Sequence, residues 1–502
     1  MKLSKPPPNT ASPWFSPADG TFATEMRPSE LSTIFFDQEE ASSAESYRRI
    51  EIFLNALAAL PKKSWRPRVN ARCIRVEGPG LSRMQRLIEW LDISFQDRSI
   101  VHVAGTSGKG STALMIAESL HAAGRSTAAF FSPHVTSLAE RFWIRGGLCG
   151  ARTAGRAASR IAEAAAAMAR EPIGPPSYFE SALALLLLAA EEEGCDTVVL
   201  EAGLGGTFDA TCLVAPAALD VLTSIGIDHT DLLGDTIEQI ARDKAGIITP
   251  RGRVVSAALP RGARAEVEKT ARERSAILHH PPEVAGLVFE GAGIRLDFRF
   301  SGGERWKDVR VGMSGAHQAA NAAVAAGACR LLGLGEADIR SGLLEARLPC
   351  RIERMPGEPL VILDGAHNRD KMRALMGALG AVPADRRFFV LGAVGDKNYE
   401  GLAEELAGPA DRFFVTTPPG SAPRSGLSPQ KFARALRQFG AVDIREFIDP
   451  WRAFEAALSE AGEGDLVVVA GSLFLAGEFR KRWVSEERIV EAGHPFPPEM
   501  GR

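Results

Sequence analysis

The chain has 502 residues, 45% of them hydrophobic and 24% charged, with a net charge of -3. That length calls for more than one domain, and the balance is that of an ordinary soluble globular protein. The near-neutral charge gives no reason to expect nucleic acid or an anionic membrane as partner, and six scattered cysteines with no C-x-x-C pair argue against a disulfide framework or a zinc site and for a reducing cytoplasm.

Residues 1–43 are rich in Pro and Ser, lack the charged-then-apolar pattern of a signal peptide and read as a disordered extension. Apolar residues then recur at helical spacing over 47–60 and 81–91, predicting a helical preamble packed on the first strand. Residues 100–104 form a β-branched run that enters a glycine-rich turn. Leu114, Ala117 and Leu120 mark the helix after it, and Gly124 suits its C-terminus. Residues 126–131 read as a strand ending in Ser132-Pro133-His134, with Glu140-Arg141 in a loop. Residues 151–170 are Ala-rich and helical. Ser177-Tyr178-Phe179-Glu180 opens the most apolar run, 182–190, which is far shorter than the ~20 residues that span a bilayer and reads as a buried helix.

Residues 197–200 and 221–225 are short apolar runs closed by Glu201 and by Asp228-His229. Residues 236–248 read as a helix carrying Arg242-Asp243-Lys244, 250–312 as more β-like, and 317–332 as a helix. Leu348-Pro349-Cys350-Arg351 reads as a linker. A second α/β series follows, with strands at 361–363, 388–391, 413–416 and 466–469. The first of these ends in Asp364-Gly365-Ala366-His367-Asn368 and the last in Gly471-Ser472. Strands alternating with helices imply parallel sheets. The second half has no G-x-G-x-x-G and is not an obvious dinucleotide domain.

Strand, glycine loop and helix around Gly105-Thr106-Ser107-Gly108-Lys109-Gly110-Ser111-Thr112 make the plan of a phosphate-binding loop. Backbone N–H groups and the helix dipole face the phosphates, Lys109 adds a point charge and a hydroxyl can ligate Mg²⁺. The spacing is not that of Walker A, since Gly105 lies three before Gly108 and Gly110 separates Lys109 from Ser111. A plain tight turn is the bland alternative, and the flanking strand and helix favour ATP. Ligands of open parallel sheets bind beyond the carboxyl ends of the strands. Four strand ends here carry such motifs: the loop, Ser132, Glu201 and His229. One site explains all four.

HVAGTSGKGST, SPH with a following ER, SYFE, EAGLGGTFDAT, TSIGIDHTDLLGDTIEQIARDKAGII, HQAAN, DGAHN and GSLFLAGE occur in order from about residue 47 to about 480. Together they resemble the folylpolyglutamate synthase/dihydrofolate synthase branch of the Mur ligases. The resemblance implies an α/β fold: a P-loop ATPase domain with a mostly parallel sheet at 44–347, a smaller Rossmann-like glutamate-ligase domain at 348–485 and a tail at 486–502. It implies ATP-dependent ligation of L-glutamate to a folate or to dihydropteroate through an acyl phosphate, in a cytoplasmic monomer with ATP and Mg²⁺ as cofactors.

The resemblance assigns Thr106, Ser107, Gly108, Lys109, Gly110 and Ser111 to the phosphates, Asn321 to the base region, and Arg351, Asp364 and His367 to the nucleotide from the linker and second domain. It assigns Ser111, Ser132 and Glu201 to one Mg²⁺. His229 and Lys244, the latter as a carbamate, fall to a second Mg²⁺. Lys109, His229 and Lys244 are the expected catalytic groups. Ser177, Phe179, Phe208, Asp209 and Ala210 match positions for the pterin-bearing substrate. The chain departs from the family pattern at Ser107, usually Asn, at Thr207, usually Arg, at Cys212, usually Asn, and at Cys350, usually Gly.

Taken singly, His229 reads as a capping histidine and Lys244 as a surface lysine. Glu201, costly to bury unpaired, favours a metal or hydrogen-bond role by itself. His134 reads as loop-shaping, His102 as sheet packing, His279-His280 as solvated loop and Cys212 as a small packing residue. The alternatives are another Mur-type amide ligase and a P-loop nucleotide-binding regulator without a ligation step.

Overall fold

The structure is a computed structural model that describes residues 42–60, 68–69, 75–77, 79–95, 97–214, 216–395, 399–406, 408, 411–419 and 426–498. The disorder expected for residues 1–43 falls outside these, apart from Ser42 and Ser43, which cap and open the first helix, Ser43–Ala59.

Runs of β-branched residues with no polar alternation must be buried on both faces, which is the pattern of a parallel strand covered by helices. Ser99–Ala104 and Thr197–Glu201 have this pattern, and both lie at the centre of an eight-stranded sheet. Its order is Ile277–His279, Arg253–Ser256, Leu219–Leu222, Ser99–Ala104, Thr197–Glu201, Thr127–Phe130, Phe142–Ile144 and Gly147–Leu148. The first six run parallel, and the last two turn back antiparallel at the edge. A second, six-stranded sheet orders Glu353–Met355, Leu360–Leu363, Leu466–Ala470, Arg387–Leu391, Arg412–Val415 and Asp443–Glu446, parallel except for the first. A three-stranded antiparallel sheet, Glu283–Glu290, Gly293–Arg299 and Arg305–Val311, packs on the first unit.

Several expectations are corrected. Residues 250–312 are not only β: they contain the helix Arg261–Glu273, whose buried side is the stripe Ala263, Val267 and Ala271. The strand read at 221–225 lies two residues earlier, at Leu219–Leu222. Glu140-Arg141 belongs to a 3₁₀ turn, Leu138–Arg141, and the Glu140 carboxylate accepts from the amides of Val135, Thr136 and Ser137. The preamble helices Ser43–Ala59 and Pro79–Leu91 pack on the helices Ala151–Met168 and Tyr178–Glu192 more than on the first strand. His279 ends a strand rather than lying in a loop. The stretch read as a tail holds the helix Glu486–Ala492 and folds back on the first unit, where Leu148 N–H donates to Gly493 O at 2.8 Å.

The two sheets are tied through Arg480, which is fully buried. Its guanidinium pairs with Glu353 at 2.9 Å, donates to Thr136 Oγ at 3.3 Å and to Pro495 O at 2.6 Å. Linker strand, the helix Leu473–Arg480, first domain and C-terminal segment thus meet on one side chain. Removing one partner of a buried pair leaves an uncompensated charge. Arg480→Ala is expected to destabilise the fold by about 3–5 kcal/mol, read by thermal unfolding. The double variant Arg480→Met, Glu353→Leu should recover most of the loss, because neither charge is then left alone.

Candidate functional site

The strand Ser99–Ala104 ends at Gly105, where the chain has no room for a side chain: a Cβ there would lie 1.9 Å from Thr223 Oγ. The loop bends back so that Thr106 N–H donates to Ser224 O at 2.7 Å, while Thr223 and Ser224 hydroxyls both donate to Ser107 O. Gly108 caps the helix Lys109–Ala122 with φ +85°, and its bare Cα lets Asn321 lie against it. The free amides of a 14-residue helix therefore open into the space beyond the sheet.

That space is a cavity of about 670 Å³ between the two sheets. Thr106, Ser107, Gly108, Lys109, Gly110, Ser111, Ser132, Glu201, His229 and Lys244 line it from the first unit. Asn321 lines it from the helix Ala316–Leu331, Arg351 from the linker, and Asp364 and His367 from the second unit. The four strand ends expected to share one site do share it.

Two lysines converge on one acceptor. Lys244 Nζ donates to Gly105 O at 2.9 Å, and Lys109 Nζ reaches the same oxygen at 3.2 Å. Lys244 is buried, contrary to its bland reading as a surface lysine. Burial, and then the charge of Lys109, push its amine down to about 7.

Glu201 is buried at its strand end and accepts from Ser132 N–H at 2.9 Å. Burial raises its carboxyl, while Lys109 and that N–H oppose the shift. Ser111 Oγ accepts from Gln318 Nε2 at 3.3 Å, and Asn321 donates to Gln318 Oε1 at 2.9 Å. His229 has left-handed backbone, φ +52°, and its N–H is bound by its neighbour Asp228. Such a conformation is uncommon for a residue other than glycine, though histidine tolerates it better than most. Asp228 also reaches across to Asn368 Nδ2 at 3.2 Å.

The donor set fits Mg²⁺. Among the described residues no group of three or more His, Cys, Asp or Glu is assembled as a metal site. Mg²⁺ does not require one: it is commonly held by one or two carboxylates with phosphate and water oxygens. Glu201 with the hydroxyls of Ser111 and Ser132 offers oxygen donors of that kind beside the phosphate loop.

On the second unit, Asp364 accepts from Ile352 and Ala366 N–H at 2.8 and 2.7 Å. Burial raises its carboxyl and Arg351 opposes the rise. Arg351 lies between Cys350 and Ile352, whose φ values are +54° and +52°.

The five residues matched to a pterin are not among those lining this cavity. They flank it. Ser177 caps the helix Tyr178–Glu192 in a capping box with Glu180. Phe179 packs under Gly203, a lining residue where a Cβ would lie 2.4 Å from the ring. Phe208 lies in the loop that leads to Asp209. Asp209 bonds Leu204 N–H at 2.9 Å through one carboxylate oxygen and Thr211 through the other, and caps the turn Ala210–Leu213. His102 is buried and meets Thr211 Oγ at 2.8 Å. Arg141 donates to His134 Nδ1 at 2.9 Å, in line with a loop-shaping histidine.

Sequence reasoning missed Gln318, His317, Lys371 and Ser472 as lining residues. His317 Nδ1 and Ser472 Oγ are buried with no hydrogen-bond partner. Gln318 and His317 could have been found, because they share the HQAAN motif with Asn321, and Ser472 because it lies in GSLFLAGE. Lys371 is brought in by the tertiary fold alone.

Residues 103–329 match the family model described as the Mur ligase middle domain, and 350–473 that of the Mur ligase glutamate ligase domain. A Bacillus subtilis dihydrofolate synthase/folylpolyglutamate synthase is 32% identical, covering 80% of this chain and 95% of its own. A probable bifunctional folylpolyglutamate synthase/dihydropteroate synthase of Halobacterium salinarum is 33% identical over 84% of this chain, which spans only 53% of that longer protein. Among solved structures, Escherichia coli FolC in complex with DHPP and ADP is similar with a TM-score of 0.73 and 27% identity, covering 86% of this chain and 97% of its own. Both units of the fold and the cavity between them are thus accounted for together: the chain belongs to the folylpolyglutamate synthase/dihydrofolate synthase family of ATP-dependent Mur ligases.

Proposed function

We propose that the chain joins L-glutamate to a folate, to dihydropteroate or to both, at the expense of ATP. The observation that carries this reading is the convergence of Lys109 and Lys244 on Gly105 O in a cavity walled by both sheets. A phosphate switch needs the first lysine and neither the second nor the facing domain. Ligation needs an acid, a nucleotide and an amine brought together, and the cavity has walls for each.

The reaction has two steps. A carboxylate oxygen of the acceptor attacks the γ-phosphorus of ATP, ADP leaves and an acyl phosphate forms. The amine of glutamate attacks the acyl carbon, phosphate leaves and the nitrogen loses a proton. The first step brings two anions together, so cations placed beforehand lower its barrier. The amides of Gly108 to Ser111 and the ammonium of Lys109 receive the phosphates. Arg351 adds charge from the linker, and Asn321 adjoins the base. Mg²⁺, held by Ser111, Ser132 and Glu201, with a second ion at His229 and Lys244, would screen the phosphate oxygens. Asp364 holds the linker that presents Arg351, and His367 orders the second-domain wall.

An amine at about 7 is substantially neutral near neutral pH, and only a neutral amine combines with carbon dioxide to form a carbamate, losing one proton. This supports carbamylation of Lys244. The aromatic and acidic residues flanking the cavity, Phe179, Phe208 and Asp209 with Ser177 and Ala210, border the place for a flat heterocycle. Ser472 begins the helix Leu473–Arg480, its hydroxyl is unpartnered, and it suits a carboxylate of the incoming amino acid. We further propose that the protein works as a monomer in the cytoplasm, divided near residue 348. Among the described residues no helix is long and apolar enough to cross a membrane.

Supplying ATP, Mg²⁺ and L-glutamate with dihydropteroate or a reduced folate, and weighing the products by mass spectrometry, tests the reading. One added glutamate on either acceptor is expected, and no product with either acceptor overturns it. Lys109→Ala should lose ligation by at least about a thousandfold, as expected for removal of a charge aimed at the transferred phosphoryl group, with an unchanged melting curve. Labelled ¹³C-bicarbonate should give a carbamate resonance that grows as pH rises through about 7 and is absent from Lys244→Ala, whose turnover a short added carboxylate should partly restore.

A further inference from the structure

We propose that Lys371 selects an acidic amino acid by receiving its side-chain carboxylate, an inference that rests on the ligase reading above. Lys371 stands in the first turn of the helix Arg369–Leu379 and lines the cavity beside His367. The first turn of a helix favours anions, because its unpaired N–H groups leave positive charge there. Asp370 meets that preference and Lys371 opposes it. A cation placed against the dipole is held there by other contacts, one of which is with His367: its Nζ lies 3.1 Å from His367 Nε2.

The protonation of that ring follows from its partners. His367 Nδ1 lies 2.8 Å from Gly365 O, and a carbonyl oxygen only accepts, so Nδ1 carries the hydrogen. An ammonium only donates, so Nε2 is the acceptor and the imidazole is neutral. With both nitrogens engaged, His367 has no N–H to offer an incoming carboxylate. The positive charge at this point of the wall is that of Lys371. An ammonium has three donors, so it can keep His367 and take a carboxylate as well.

The phosphates have their own cations on the facing wall, in Lys109 and the loop amides. Arg351 stands on the linker, donates to Cys350 O at 3.1 Å and is assigned to the nucleotide by the reading above; it and Lys371 both oppose the rise that burial imposes on the Asp364 carboxyl. Asp370 faces Arg373 at 3.9 Å. Lys371 is therefore the group on the second-domain wall placed to distinguish a carboxylate from a neutral amide. Glutamate and glutamine differ at that end in charge and little in shape, so only a charged group separates them. A charge-assisted bond is roughly twice as strong as a neutral one.

The test compares L-glutamate with L-glutamine as the amine donor, with the full chain, ATP, Mg²⁺ and whichever acceptor it uses. Lys371→Met should raise KM for L-glutamate about 30-fold, the loss expected of one charge-assisted hydrogen bond. KM for ATP and kcat/KM for L-glutamine should stay within about twofold, so the preference for glutamate collapses. Lys371→Arg should restore part of it. An unchanged glutamate-to-glutamine ratio in Lys371→Met overturns the proposal, and so does an equal loss with both donors, which marks a structural role through His367. Calorimetry of L-glutamate binding to the ADP-bound protein separates the two readings. Binding that Lys371→Met abolishes, in a chain that ligates nothing, supports the role of Lys371 while overturning the ligase reading.

Discussion

The carbonyl oxygen of Gly105 fixes the chemistry of the site. Two amines reach it, Lys244 at 2.9 Å and Lys109 at 3.2 Å, and both lie beside the open end of a helix whose dipole is also positive. Such an accumulation of like charge is tolerable only where an anion arrives or where one amine gives up its proton. Lys244 is the buried one, and its amine is pushed down to about 7. In the neutral form it keeps its N–H bond to the carbonyl and retains a lone pair. One geometric fact thus underlies both roles proposed for the pair, Lys109 toward phosphate and Lys244 toward carbon dioxide.

Around that point the loops brace one another. Gly206 lies against the backbone of Lys244, where a Cβ would approach to 2.7 Å, and Thr207 donates from both N–H and Oγ to Asp243 O at 2.9 Å. Cys212 Sγ closes on Gly206 O at 2.9 Å. These are positions where the chain departs from the pattern of the family it resembles, and each has found a bond inside the loop. Asp209 is tied in the same way, through Leu204 on one side and through Thr211 to His102 on the other. The segment beside the cavity is consequently held to the central strand below it and to the helix Ile237–Lys244 beside it. A loop so tied has little conformational freedom left to lose, so ordering it further costs little entropy.

Much of this was legible in the chain itself. Both parallel sheets announce themselves as apolar runs without alternation, and the capping boxes at Ser177 and Thr236 as S/T-x-x-E/Q. The helix Arg261–Glu273 was not legible as such, because its buried stripe is only two alanines and a valine on an otherwise charged surface. The grouping of four strand ends into one site followed from the rule for open sheets and holds in the cavity. Lys371 belongs to the same cavity but carries no local signature: a lysine in a charged helix turn is ordinary in sequence, and only the meeting of two domains gives it its place. Ser472 stood in view at the end of the last strand, in GSLFLAGE, without a role assigned to it. The burial of Lys244 was partly legible, because its i−4, i−3, i+3 and i+4 neighbours Ile240, Ala241, Ile247 and Ile248 are apolar and buried; the backbone of Gly105 and Gly206 that closes on it comes from elsewhere in the fold.

The linker is the most strained part of the site. Cys350 and Ile352 both take left-handed backbone, at φ +54° and +52°, and a β-branched residue there is a genuine outlier. Each such residue costs about 1–3 kcal/mol and persists only where its surroundings over-determine it. Here they do. Glu353 holds Cys350 N–H at 2.8 Å, Asp364 holds Ile352 N–H at 2.8 Å, and Gly365 N–H bonds Cys350 O at 2.9 Å. Glu353 is in turn fixed by Arg480. The residue between the two strained positions is Arg351, and an extended or helical linker would aim its side chain elsewhere. The buried carboxylates of Asp364 and Glu353 therefore do more than tie two sheets together: they hold the backbone in the shape that brings Arg351, a linker residue, into the lining of the cavity between the two units.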